Sequence, residues 1–106
     1  MLDKLFQAAE KFAGEGHRLR RGCIASGDIF VSDGEKRRAL NREFQADVAE
    51  MEGAAVAQVA TAAGVPFVVL RAVSDLASGS AATYETFEHE IGVFSSKIAV
   101  EFCRNL

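Results

Sequence analysis

Little in this chain points to a metal, a membrane or an extracellular framework. Only two cysteines occur in 106 residues, Cys23 and Cys103. They form no Cys-x-x-Cys pair and have no histidine at ligand spacing, so reduced, buried thiols in a cytosolic protein are the plain reading. The two histidines, His17 and His89, are isolated as well, and a zinc centre is not expected. No apolar run approaches the roughly 20 residues of a membrane span. The amino terminus lacks the charged, apolar and small-residue regions of a signal sequence, which leaves the cytoplasm as the expected setting.

An excess of positive charge is missing too. The formal net charge is −3, which argues against a nucleic-acid partner. Two basic clusters, His17-Arg18-Leu19-Arg20-Arg21 and Lys36-Arg37-Arg38, have acids nearby and no interleaved aromatics on which bases could stack; they read as solvated surface. What is present is the composition of an ordinary globular protein, 49% hydrophobic and 25% charged, too apolar to be disordered. At 106 residues the chain holds at most one domain, small for an enzyme built on a parallel sheet.

Periodicity predicts the elements. Leu2, Leu5, Phe6, Ala9, Phe12 and Ala13 repeat at helical spacing until Gly14-Glu15-Gly16 stops them. Gly22 to Ser26 is short, small and apolar before Gly27-Asp28, as in a buried strand ending in a turn. Ser32 and Glu35 stand at capping-box spacing, predicting a short polar helix from Asp33 to about Asn41. Ala46 to Glu50 fits a brief strand, and Gly53 to Ala63 a small-residue helix closed by Gly64. After Pro66 the unbroken apolar run Phe67 to Val73 reads as a strand covered on both faces. Phe87, Ile91, Phe94, Ile98 and Phe102 mark a long last helix. The order α-β-α-β-α-β-α predicts an α/β fold with helices on both sides of a mostly buried central sheet. Three strands leave edges that need further strands, so the chain is expected to be the carboxyl-terminal part of a larger domain.

Two acidic constellations fall at strand ends, where α/β proteins place their chemistry. Arg71-Ala72-Val73-Ser74-Asp75 follows the apolar run, and Glu50-Met51-Glu52-Gly53 stands where a strand turns into the Ala-rich helix. The expectation is two carboxylates, Asp75 and Glu52, in one cleft.

Three segments carry a resemblance: Ser26-Gly27-Asp28-Ile29-Phe30-Val31, the stretch from Val48 to Ala60 through Glu50-Met51-Glu52-Gly53, and Val65-Pro66-Phe67 through Ser74-Asp75. In that order they resemble the nucleoside phosphorylase/nucleosidase superfamily, nearest to bacterial 5′-methylthioadenosine/S-adenosylhomocysteine nucleosidases. The likeness spans residues 1–106 as one partial domain, about the second half of the family's. It implies a partial phosphorylase/hydrolase-like three-layer α/β/α fold and an enzyme that hydrolyses the N-glycosidic bond, releasing adenine and a 5-thioribose, as in methionine salvage.

The implied chemistry fits the residue types. A departing purine must be protonated while positive charge grows on the ribose. The resemblance makes Asp75 the general acid at purine N7, oriented by Ser74. Since an ordinary Asp is ionised at neutral pH, its pocket must hold it above the usual range or share the proton with the base. Glu52 is implied to accept hydrogen bonds from the ribose hydroxyls and to suit an oxocarbenium-like transition state. Met51 is implied to pack on the sugar, although a methionine there also reads as a core gap-filler. Phe30 is implied to stack on the purine and the Val31 backbone to read its edge, although a Phe after a strand commonly belongs to a core. Glu50 and Arg71 are expected in an ion pair or network near the cleft, and Tyr84 over the substrate tail.

The family's water-activating carboxylate and phosphate-holding arginines belong to the half not in this chain. Two other readings therefore stand beside hydrolysis: a purine nucleoside phosphorylase, and a truncated non-catalytic module that binds a nucleoside or oligomerises. No metal or organic cofactor is implied, and the expected partners are a small-molecule nucleoside and further copies of the chain in a homo-oligomer.

Overall fold

The computed structural model describes residues 1–73 and 81–106, with side chains for all of these but 15 and 81–88. Contacts group the chain into two units, residues 1–20 with 68–106, and residues 21–67.

In the first unit, helix α1 (Leu2–Glu10) packs against helix α4 (Ala81–Arg104). Leu5 and Ala9 of α1 meet Phe94 and Ile98 of α4 in a buried cluster, with Phe12, Leu19, Ile91 and Phe102 around it. This is the predicted helical spacing at work, since residues three and four apart share a face. The periodic run of α1 ends early. Helix stops at Glu10, and a 3-10 turn over Ala13–Glu15 leads to Gly16 in the left-handed region at φ 86°, where a residue without Cβ is unstrained. His17 then lies against Phe94, with ring centroids 4.3 Å apart. The Lys11 ammonium pairs with the Glu101 carboxylate and ties the end of α1 to α4.

The apolar run from Phe67 to Val73, expected as a third strand, carries no strand ladder. A strand needs a partner's backbone, and alternate residues of this segment spend their apolar surface differently: Val68 and Leu70 pack against the α1/α4 cluster.

In the second unit, strands β1 (Ile24–Ser26) and β2 (Val48–Glu50) pair in parallel, with Ile24 opposite Val48, Ala25 opposite Ala49 and Ser26 opposite Glu50. They form the sheet of the described residues. β1 is half-buried throughout and β2 alternates. Between them runs α2 (Gly34–Phe44). Its cap is Asp33, one residue after the expected Ser32: the Asp33 carboxylate accepts from the Glu35 N–H at 3.0 Å. The helix continues past Asn41 to Gln45, which closes it in the left-handed region at φ 52°. Asn41 uses its side-chain amide to bond the Ala46 carbonyl at 3.0 Å, steering the chain into β2.

After β2 comes α3 (Gly53–Ala62), which packs on β1. It ends as its glycine foretold. Gly64 sits at φ 67°, its N–H bonds the Thr61 carbonyl at 3.1 Å, and the Val65 N–H bonds the Ala60 carbonyl at 2.9 Å. Those two bonds are the Schellman closure. Helices together with a small parallel sheet are the expected partial α/β fold.

Candidate functional site

The parallel register brings the carboxyl ends of β1 and β2 side by side, and the Gly27 N–H bonds the Glu50 carbonyl at 3.1 Å. Immediately beyond, the chain turns through Met51 and Glu52 into α3. The first N–H groups of a helix have no partner within it, and here two strand ends supply partners. The Glu50 carboxylate accepts from the Glu52 N–H at 3.1 Å and from the Gly53 N–H at 2.8 Å to each oxygen. Ser26 Oγ accepts from the Ala54 N–H at 2.9 Å. A negative group at this end also suits the helix dipole. A Cβ on Gly53 would stand 2.6 Å from Glu50 Oε1; a glycine is required there for the carboxylate to approach the backbone.

The consequence is a tight corner in which one carboxylate is committed to the backbone and the next is turned outward. Glu50 is half-buried, whereas Met51 and Glu52 are exposed. Further along the β1 side, Val31 is half-buried and Phe30 is 67% exposed. Glu50, Met51, Glu52, Phe30 and Val31 all belong to the second unit. Arg71 is exposed and belongs to the first. Ser74 and Asp75 lie outside the described residues, and of Tyr84 only the backbone, in the first turn of α4, is described.

Two structural participants escaped the sequence reading. Ser26 was legible only as part of a motif, because its bond to Ala54 spans 28 residues. Asp47 plays the matching part at the other end of the strand pair: its carboxylate accepts from the Cys23 N–H at 2.9 Å, and a Cβ on Gly22 would stand 2.7 Å from it. An acid directly before a strand was the available signal.

Elsewhere, a groove of about 690 Å³ runs along α4 beside Phe12, lined by Val93 and Val100 together with His89, Lys97 and Arg104. None of Phe30, Val31, Glu50, Met51, Glu52 and Arg71 lines it. Among the described residues no group of three or more His, Cys, Asp or Glu converges as a metal site, and no helix is long and apolar enough to cross a membrane.

Comparison with known proteins agrees with the strand-end motifs. The family model of the phosphorylase superfamily matches residues 1–104. A 5′-methylthioadenosine/S-adenosylhomocysteine nucleosidase of Actinobacillus succinogenes is 46% identical over 88 residues, covering 80% of this chain and 38% of that protein. An aminodeoxyfutalosine nucleosidase of Helicobacter pylori is 50% identical over 74 residues, covering 69% of this chain and 32% of that one. Among solved structures, a futalosine hydrolase mutant of Helicobacter pylori superposes with a TM-score of 0.78 at 36% identity, covering 98% of this chain and 44% of that chain. The chain thus spans less than half the length of the relatives it matches, and those relatives are named as nucleosidases of more than one specificity.

Proposed function

Because this chain belongs to the phosphorylase superfamily, we propose that it is the strand-end portion of a nucleosidase that hydrolyses 5′-methylthioadenosine or S-adenosylhomocysteine to adenine and a 5-thioribose. The observation that carries the reading is the Glu50-Met51-Glu52-Gly53 corner, which fixes one carboxylate on the α3 backbone and leaves the next exposed at the carboxyl end of a parallel strand. On this reading Glu52 accepts from the ribose hydroxyls and its charge favours the oxocarbenium-like transition state. Glu50 positions it by clamping the turn. Asp75, oriented by Ser74, protonates the leaving purine; Phe30 stacks on the base, Val31 reads its edge through the backbone, and Met51 packs on the sugar. Arg71 belongs to a network near the cleft, and Tyr84 lies over the substrate tail. The substrate is a soluble nucleoside, no metal or organic cofactor takes part, and the protein works in the cytoplasm as a homo-oligomer.

A second reading, cleavage of aminodeoxyfutalosine, is favoured by the 50% identity to the Helicobacter pylori protein of that name. Release of the free base from the three nucleosides, with and without phosphate, by the protein carrying a complete domain separates the readings; base release that requires phosphate would refute hydrolysis in favour of phosphorolysis. In the same protein Asp75→Asn is expected to lower kcat by roughly 10²-fold or more with little change in KM. Glu52→Gln is expected to weaken both sugar binding and kcat. Substrates whose base leaves without protonation should rescue the Asp75 variant and not the Glu52 variant.

A further inference from the structure

Helix α3 begins without using the side chain that stands at its cap. An N-cap side chain ordinarily accepts from the second or third N–H of its own helix. Glu52 occupies the N-cap position of α3 and makes no side-chain cap bond. The donors are taken from outside instead: the Gly53 N–H by both Glu50 oxygens at 2.8 Å, and the Ala54 N–H by Ser26 Oγ at 2.9 Å. Ala54 is the second residue of the helix, so its N–H is a donor that a capping Glu52 would claim.

Ser26 reaches that donor through the sheet. It is the last residue of β1, stands opposite Glu50 and is half-buried. Beside it the Gly27 N–H bonds the Glu50 carbonyl at 3.1 Å, which fixes the two strand ends relative to each other. Gly53, Ala57 and Ala60, spaced as one helical face, are the half-buried residues of α3, and the helix packs on β1. With no long side chain on that face, the helix comes close enough for a side chain as short as serine's to bond its backbone.

We propose, on the reading of Glu52 as the acceptor of the ribose hydroxyls, that Ser26 is a positioning residue for Glu52: it caps α3 in Glu52's place and so leaves the Glu52 carboxylate to the sugar. Removing the Ser26 hydroxyl leaves the Ala54 N–H an orphan donor at the positive end of the helix, two residues from a carboxylate. That carboxylate then turns back to cap its own helix, as N-cap side chains do, and the sugar loses its acceptor.

The test uses the protein carrying a complete domain and two substrates, 5′-methylthioadenosine and its 2′,3′-dideoxy analogue, which has no hydroxyl for Glu52 to hold. The quantity read is the ratio of the two kcat/KM values, in which any loss of folded protein cancels. Ser26→Ala and Ser26→Val both remove the hydroxyl; Ser26→Thr has nearly the shape of Ser26→Val and keeps it. Ser26→Ala and Ser26→Val should lower the ratio about tenfold or more, the scale of one hydrogen bond to a charged group, through a fall on the ribonucleoside alone. Ser26→Thr should hold the ratio within about twofold. Three results would overturn the proposal: an equal loss on both substrates, which makes Ser26 part of the scaffold only; a ratio unmoved by Ser26→Ala and Ser26→Val; or a ratio that falls as far with Ser26→Thr as with Ser26→Val. Glu52→Ala tests the reading beneath it. A ratio unchanged by Glu52→Ala refutes Glu52 as the sugar's acceptor and the role of Ser26 with it, whereas a ratio lowered by Glu52→Ala and untouched by the Ser26 substitutions refutes the role of Ser26 alone.

Discussion

The contact between Glu50 and Gly53 predicts a reversal of sign. Glu50 accepts from two backbone N–H groups at the start of α3, with distances of 2.8 to 3.1 Å. Loss of an N-terminal cap costs about 0.5–2 kcal/mol, and a negative group at that end adds a few tenths more, so Glu50→Ala is expected to destabilise by about 1.5 kcal/mol. Gly53→Ala acts on the same contact from the other side. Its new Cβ would fall 2.6 Å from Glu50 Oε1, and since that atom ends a flexible side chain, the carboxylate moves away and the cap is lost. Ala at the first helical position returns about 0.5 kcal/mol over Gly, leaving a net cost of about 1 kcal/mol by the same estimates. In the Glu50→Ala background there is no carboxylate to displace. Gly53→Ala should then stabilise by about 0.5 kcal/mol, and the double-mutant cycle should show coupling of about 1.5 kcal/mol. Urea unfolding of the four chains, followed by helical circular dichroism, measures it. Additivity within about 0.3–0.5 kcal/mol would show that Glu50 does not hold the start of α3.

Ile98, 1% exposed in the α1/α4 cluster, should cost about 2–5 kcal/mol when cut to Ala, read as a lower urea midpoint. The Glu101 carboxyl is held below its ordinary value of 4.5, chiefly by the hydrogen bond from Lys11 and then by that from Asn105. A lowered folded value means the tie between α1 and α4 is complete above the ordinary carboxylate range and is lost as pH falls through the lowered value; Lys11→Met should move the Glu101 carboxyl resonance titration upward, and an unmoved curve refutes the assignment. Gln45 ends α2 at φ 52°, a conformation that costs a non-glycine residue about 1 kcal/mol. Gln45→Gly forfeits the exposed bond to the Arg42 carbonyl and is still expected to stabilise by about 0.5 kcal/mol in thermal unfolding.

Much of the fold was legible because it depends on local rules. The end of α3 at Gly64 and the i, i+4 stripe through Phe94 and Ile98 are both written in neighbouring residues. Two features were misread for one reason each. Ser32 and Asp33 are both good caps, and adjacent candidates differ only in which side chain the preceding backbone turns toward the helix. The segment 67–73 has the composition of a buried strand, but composition does not supply a pairing partner; among the described residues it has no ladder, and Val68 and Leu70 pack, half-buried, against the α1/α4 cluster.

The site divides along the same line. That Glu50-Met51-Glu52-Gly53 stands at a strand end was legible, because a short strand and a small-residue helix flank these acids, the placement of a strand-end site. Which acid does what was not legible, since either could in principle turn toward a ligand. The division depends on a register, Ser26 opposite Glu50, that sequence alone does not state. Once the strands pair, Ser26 and Glu50 both reach the first N–H groups of α3, and both Glu50 oxygens are taken up by the backbone. A carboxylate spent in this way sets the geometry of its neighbour, while the exposed Glu52 keeps its place at the corner. Gly53 then has a reason to be glycine that no turn or left-handed backbone supplies: it is the space in which the Glu50 carboxylate sits.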